Sequence, residues 1–264
     1  MGRVTIPNGI EVIVASFGGV GTSFLIDFLS KHRKTNQFAD YDGLKHSALP
    51  PISLNKKIKL VYIYGDPQLA AVSLFRRDYQ HYQSAKLQKF TKGKKDIIPL
   101  GTSLEEYAAD GIDKFKFREH FYNWYDEHLV HPTFFVKYEK IFDVVEPLFE
   151  FLEIPKEHIS DFPPKKKRNS SIENIPEITQ TNISKIYGKF RNELSEIADY
   201  EIRYPSEYKP ELRSYMKPIY IYALFRQFPN VLLHNVLKLV AGKPLQTLEK
   251  LAPPVYRYLR HLMR

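Results

Sequence analysis

The stretch from Val12 to Leu29 constrains this chain most. Val12, Ile13, Val14 and Ala15 form an apolar run that breaks at Ser16. The chain then passes through Phe17, Gly18, Gly19, Val20, Gly21, Thr22 and Ser23 before a second apolar run begins at Phe24. The order is that of a buried strand, a glycine-rich turn and a helix start. Main-chain N–H groups freed at such a turn, together with the positive end of the following helix dipole, form a site for phosphate that needs no side chain. The spacing excludes two well-known versions of the loop. No lysine precedes Thr22 or Ser23 as a Walker A motif requires, and Phe24 stands where a dinucleotide fingerprint needs its third glycine. Glycines alone also serve a tight strand-to-helix turn.

The next signals repeat the alternation. Lys59 to Tyr64 reads as a second buried strand, ended by Gly65, with Asp66 placed to cap a helix starting at Pro67 and presenting Leu69, Val72, Leu74, Phe75 and Tyr79 on its apolar side. Lys86 to Pro99 reads as a basic loop. Ser103 and Glu106 form a capping box. An amphipathic helix is expected over Ile112 to His128, a third strand over Thr133 to Tyr138, and a helix over Glu139 to Leu152 with a kink at Pro147. Strand–turn–helix alternation predicts an α/β fold, P-loop-like and three-layered, with a central parallel sheet flanked by helices and its ligand at the carboxyl ends of the strands. The expected division is an α/β domain over 1–210 and a helical C-terminal extension over 211–264.

Thirty-nine Lys and Arg against thirty Asp and Glu leave a net charge of +9, which favours an anionic ligand or partner. The chain has no cysteine, so thiolate metal sites and disulfides are excluded. The start, Met1 to Pro7, lacks the features of a secretory signal, and a cytoplasmic location is the default expectation. The apolar stretch from Pro218 to Ala241 is interrupted by Arg226, Gln227, His234, Asn235 and Lys238, which argues against a membrane span.

Four segments, in this order, resemble the sulfotransferases that use 3′-phosphoadenosine 5′-phosphosulfate (PAPS), especially the cytosolic type. "ASFGGVGTSFL" (15–25) is similar to the family's phosphosulfate loop, and "LKHSALP" (44–50) to its segment with the base histidine. "VYIYGDPQLAAVSLF" (61–75) is similar to the strand and helix that hold the 3′-phosphate. "REHFYNWYDEH" (118–128) and "FFVKYEKIFD" (134–143) resemble two later segments.

The resemblance implies sulfuryl transfer from PAPS, leaving the bisphosphate PAP, to a hydroxyl or amine of a small-molecule or glycan acceptor, with His46 as general base. It places the 5′-phosphate on Gly18, Gly19, Val20, Gly21, Thr22 and Ser23. The 3′-phosphate falls to Ser73, with Arg76, Arg77 or the run through Lys166, Lys167 and Arg168 supplying charge. No metal is implied. Two customary cations are glycines here: Gly19 stands for the loop lysine and Gly65 for the 3′-phosphate arginine, which removes charge-assisted hydrogen bonds about twice as strong as neutral ones. The residues leave other readings open: an altered member of the fold binding another phosphorylated ligand, or a basic nucleic-acid or membrane-surface binder. Nucleic acid is not the expected partner, and the basic C-terminal helices offer a peripheral membrane contact.

Overall fold

The structure is a computed structural model, and it describes residues 6–7, 9–51, 57–88, 96–126, 129–165 and 171–205. The expected extension over 211–264 lies outside the described residues, as do Lys166, Lys167 and Arg168. Residues Ile6–Ser206 pack as one compact unit.

Three strands, β1 (Val12–Ala15), β2 (Lys59–Tyr64) and β3 (Thr133–Lys137), run parallel in the order β1-β2-β3. All four residues of β1 are buried, as are five of six in β2 and four of five in β3. Continuous rather than alternating apolar sequence is what a parallel sheet covered on both faces demands. The fold is therefore α/β with a mostly parallel sheet, as expected. A fourth strand, β4 (Tyr200–Arg203), joins β3 in antiparallel register and was not foreseen. Its polar, half-exposed residues carry no apolar signal; it is recruited by pairing with Thr133 to Val136.

The outer edge of β1 is closed by side-chain chemistry. Asn36 Oδ1 accepts from Val14 N–H at 2.8 Å and its Nδ2 donates to the Val14 carbonyl at 3.1 Å, so one amide replaces a neighbouring strand. Pairing registers bring the carboxyl ends of all three parallel strands to one edge: Ala15 is opposite Tyr62, and Tyr64 is opposite Lys137. Ser16, Gly65 and Tyr138 are the first residues beyond that edge.

Helices α1 (Thr22–Leu29), α2 (Pro67–Arg76), α3 (Gln80–Leu87), α4 (Leu104–Asp110), α5 (Phe117–Tyr125), α6 (Val145–Leu152) and α7 (Glu177–Ser195) complete the described fold. Thr179, Ile183, Tyr187, Phe190 and Leu194 recur at helical spacing and are the buried stripe of α7. Asp66 caps α2 by accepting from Gln68 and Leu69 N–H, and the Ser103–Glu106 capping box is formed.

Three boundaries differ from expectation, each for a local reason. The helix expected from Ile112 begins only at Phe117, because the Asp113 carboxylate takes the N–H groups of Phe115, Lys116 and Phe117 and holds them in a turn. Pro147 does not kink a helix: α6 starts at Val145, so the proline sits in the first turn, where its missing N–H has no partner to lose. Finally, α2 stops at Arg76, and Asp78 at φ 58° turns the chain into α3, which takes in Lys86, expected in a loop, and leaves Tyr79 exposed. The buried side of α3 is polar: Gln80, Gln83 and Ser84 bond to loop and helix main chain. Among the described residues no helix is long and apolar enough to cross a membrane.

Candidate functional site

The glycine turn is clamped between two elements. A Cβ on Gly19 would lie 2.6 Å from the Ala70 carbonyl oxygen and 2.9 Å from Ala70 Cα, so the loop rests on the backbone of α2. A Cβ on Gly21 would lie 2.3 Å from the Tyr138 ring. Both glycines have positive φ, 73° and 79°. Gly19 is therefore fixed by backbone geometry: the lysine that the resemblance places there has no room to stand. Inside the turn Ser16 Oγ accepts from Gly18 N–H at 2.9 Å and meets Thr22 Oγ1 at 2.5 Å.

The two helices at this edge begin differently. Asp66 fills the start of α2, whereas α1 has no side-chain cap and no acid in its first turn. Its first main-chain bond runs from Leu25 N–H to the Gly21 carbonyl. The N–H groups of Thr22 and Ser23 thus precede the first turn's bonding, at the positive end of the helix dipole.

A cation stands at that helix start, on a residue the sequence reading did not single out. Lys45 Nζ donates to Ser23 Oγ at 2.6 Å and to the Phe38 carbonyl at 3.0 Å. Lys45 is 9% exposed; burial lowers its pKa and the Asp40 carboxylate opposes that shift. Asp40 also accepts from Lys45 N–H and from Lys86 Nζ, which ties the 38–45 segment to α3. The available signal was adjacency, since Lys45 precedes His46, but only the tertiary path shows that it reaches Ser23.

His46 is brought to the same turn. Its Nδ1 lies 2.9 Å from the Ser16 carbonyl oxygen. A carbonyl can only accept, so Nδ1 carries the proton and Nε2 keeps the lone pair. Burial pushes its pKa down to about 4, against the opposing influence of Asp40 and the Ser16 carbonyl, so the imidazole is neutral at pH 7. Behind it, Trp124 Nε1 donates to the Ser47 carbonyl at 2.9 Å, and the buried His120 bonds Tyr62 through Nδ1. Trp124 and Phe121 are buried in the core, while Tyr122 and Tyr125 are half-buried.

The far side of the site has a different character. A Cβ at Gly65 would be 3.0 Å from both carboxylate oxygens of Glu139 and 3.3 Å from Tyr138 Cβ. Glu139 Oε1 accepts from Asp66 N–H at 3.3 Å, and Asp66 pairs with Arg191 at 2.9 Å. Ser73 is 9% exposed on α2. Arg76 is exposed, and Arg77 folds back to donate to the Ser73 carbonyl at 3.0 Å, its guanidinium 5.6 Å from the Tyr79 ring. The structure thus groups Gly18 to Ser23, Lys45 and His46, and keeps Arg77 occupied along its own helix.

A mostly parallel sheet flanked by helices, with an uncapped helix start, a lysine and a histidine at its carboxyl edge, defines the class as an α/β protein. The sulfotransferase-domain family model matches residues 43–198, more than half of the chain, and the chain belongs to that family. The match begins after the glycine turn and includes His46, Gly65, Ser73, Tyr138 and Glu139. Comparison with curated proteins and with solved structures gives no match.

Proposed function

We propose that this protein moves a sulfuryl group from a nucleoside 5′-phosphosulfate, the donor class to which PAPS belongs, to a hydroxyl of a small-molecule or glycan acceptor. The observation that carries this reading is the convergence of Lys45, His46 and the open start of α1 on one glycine turn. The 5′ end of such a donor fits these residues: main-chain donors, two hydroxyls and one ammonium converge there. At the position of the customary 3′-phosphate arginine the chain has Gly65, and a Cβ there would lie 3.0 Å from the Glu139 carboxylate oxygens.

When bound, the donor supplies an electrophilic sulfur and a 5′-phosphate leaving group. The protein's own residues do the rest. His46 Nε2 takes the proton from the acceptor hydroxyl as the new O–S bond forms. The Ser16 carbonyl holds the ring tautomer that keeps Nε2 free for this. Thr22 and Ser23 N–H and Lys45 Nζ would hold the phosphate whose bond to sulfur breaks and would stabilise the charge that develops on it. Gly19, packed on Ala70, fixes the loop against α2.

Titration of the chain with adenosine 5′-monophosphate, together with turnover of a sulfated donor, tests the reading. His46→Ala should cut turnover about 100-fold or more while binding changes little, the usual worth of a positioned base. Retained turnover in that variant removes His46 from the chemistry.

A further inference from the structure

We infer that Asp40 is a positioning residue of this site: one buried carboxylate, fastened to α3 through Lys86, sets both the Lys45 ammonium and the His46 ring. The inference rests on the transferase reading above and adds to it a residue that touches neither donor nor acceptor.

Asp40 is the point at which the 38–45 segment is fixed. Its side chain is 4% exposed. Oδ1 accepts from Lys45 N–H at 3.0 Å, and Oδ2 accepts from Lys86 Nζ at 2.6 Å. At φ 62° the residue itself is left-handed, and its main chain is used within the segment: its N–H donates to the Gln37 carbonyl and its carbonyl accepts from Gly43 N–H. A second carboxylate, Asp42, accepts from Gln37 and Leu44 N–H and closes the same loop.

Lys45 is consequently held at three points. Its N–H donates to Asp40, its carbonyl accepts from Ser16 N–H at 3.1 Å, and its Nζ reaches Ser23. Ser16 returns the contact through the carbonyl that receives His46 Nδ1. The main chain carrying cation and base is thus fixed by the glycine turn on one side and by Asp40 on the other.

Charge separates this role from a merely structural one. A carboxylate beside the place proposed for a phosphate is electrostatically adverse, because it repels the ligand that Lys45 attracts. The turn does not demand it: asparagine is equally at ease at positive φ, and its amide oxygen accepts from a main-chain N–H as well. What the carboxylate adds is a charge-assisted bond to Lys86, which fastens the segment to α3. Burial pushes the pKa values of Lys45 and His46 down, and Asp40 is the foremost charge opposing that shift on both.

Calorimetric titration of the full chain with adenosine 5′-monophosphate, and nitrogen NMR of its histidine rings, test this with three variants. Asp40→Gly suits the left-handed backbone and removes both side-chain bonds. It should weaken binding about tenfold, as much as loss of the Lys45 charge, and leave the His46 proton shared between Nδ1 and Nε2 where the wild type holds it on Nδ1. The field alone predicts the opposite for binding, since removing an anion favours an anionic ligand. Asp40→Asn keeps the bond to Lys45 N–H and should restore the Nδ1 tautomer. Lys86→Met should weaken binding more than Lys31→Met, which removes the same charge from an exposed residue beyond the far end of α1. An Asp40→Gly chain that binds as tightly as the wild type, or keeps His46 on Nδ1 alone, overturns the inference; should that chain fail to fold, equal effects of Lys86→Met and Lys31→Met overturn it. A wild-type chain that does not bind the monophosphate overturns the ligand reading instead, and the His46 tautomer in the variants still decides the role of Asp40.

Discussion

Replacing Gly19 by alanine tests the glycine turn most directly, because the cost is readable from two independent features. The first is φ of 73°, which for an L residue costs about 1–2 kcal/mol. The second is the 2.6 Å approach of the new Cβ to the Ala70 carbonyl oxygen, main chain that cannot rotate away. Overpacking of that kind typically costs about 1–3 kcal/mol. Together they give about 2–5 kcal/mol, a large share of the roughly 5–15 kcal/mol that holds a domain folded. Gly101 and Gly111 are matched controls, with φ of 79° and 68° and nothing within 4 Å of their Cβ positions. Alanine at either should cost only the conformational part, about 1–2 kcal/mol. Urea denaturation of the three variants, with slopes compared, measures this. If Gly19→Ala is no worse than Gly111→Ala, the loop does not rest on α2, and the reason given for the missing lysine fails. Gly19→Lys, which restores that lysine, should be at least as destabilised and gain no activity.

Three further outcomes follow from the same geometry. Lys45→Met keeps the aliphatic stem and removes the charge at Ser23, so binding of adenosine 5′-monophosphate should weaken about tenfold, and its salt dependence should flatten in calorimetry. Asn36→Ala leaves the Val14 N–H and carbonyl unpaired at a buried edge and should cost about 2–4 kcal/mol in urea denaturation, with ligand binding per folded molecule unchanged. His46 and His131 each have a pKa pushed down by burial to about 4, below the ordinary 6.5, so between those values the unfolded chain binds the extra protons. Stability should be full above pH 6.5 and fall as pH drops towards 4, by about 1.4 kcal/mol per unit for each histidine, while the acid limb of turnover should lie near 4 and not near 6.5.

Much of the scaffold was legible in local patterns. Apolar runs at 12–15, 59–64 and 133–137 are buried strands because a sheet covered on both faces needs uninterrupted apolar sequence, and Asp66 followed by Pro67 is a local helix-start signal that α2 obeys. Other elements were hidden because their signal is not hydrophobic. α3 buries glutamines whose value lies in carbonyls far along the chain, among them Phe17 for Gln83 and Thr102 for Gln80. β4 is half exposed and exists through its pairing with β3.

The sequence by itself determined that a strand, a glycine turn and a helix start stand in succession, and that a histidine lies in a segment resembling one that carries a base. Such features depend on neighbours a few residues apart, where backbone sterics and capping act. The tertiary structure alone decided that Lys45 reaches Ser23, that His46 is oriented by the Ser16 carbonyl, and that Glu139 lies over Gly65. Those contacts span 22, 30 and about 70 residues, and no local rule fixes them, because they arise only when parallel strands bring distant chain ends to one edge of the sheet.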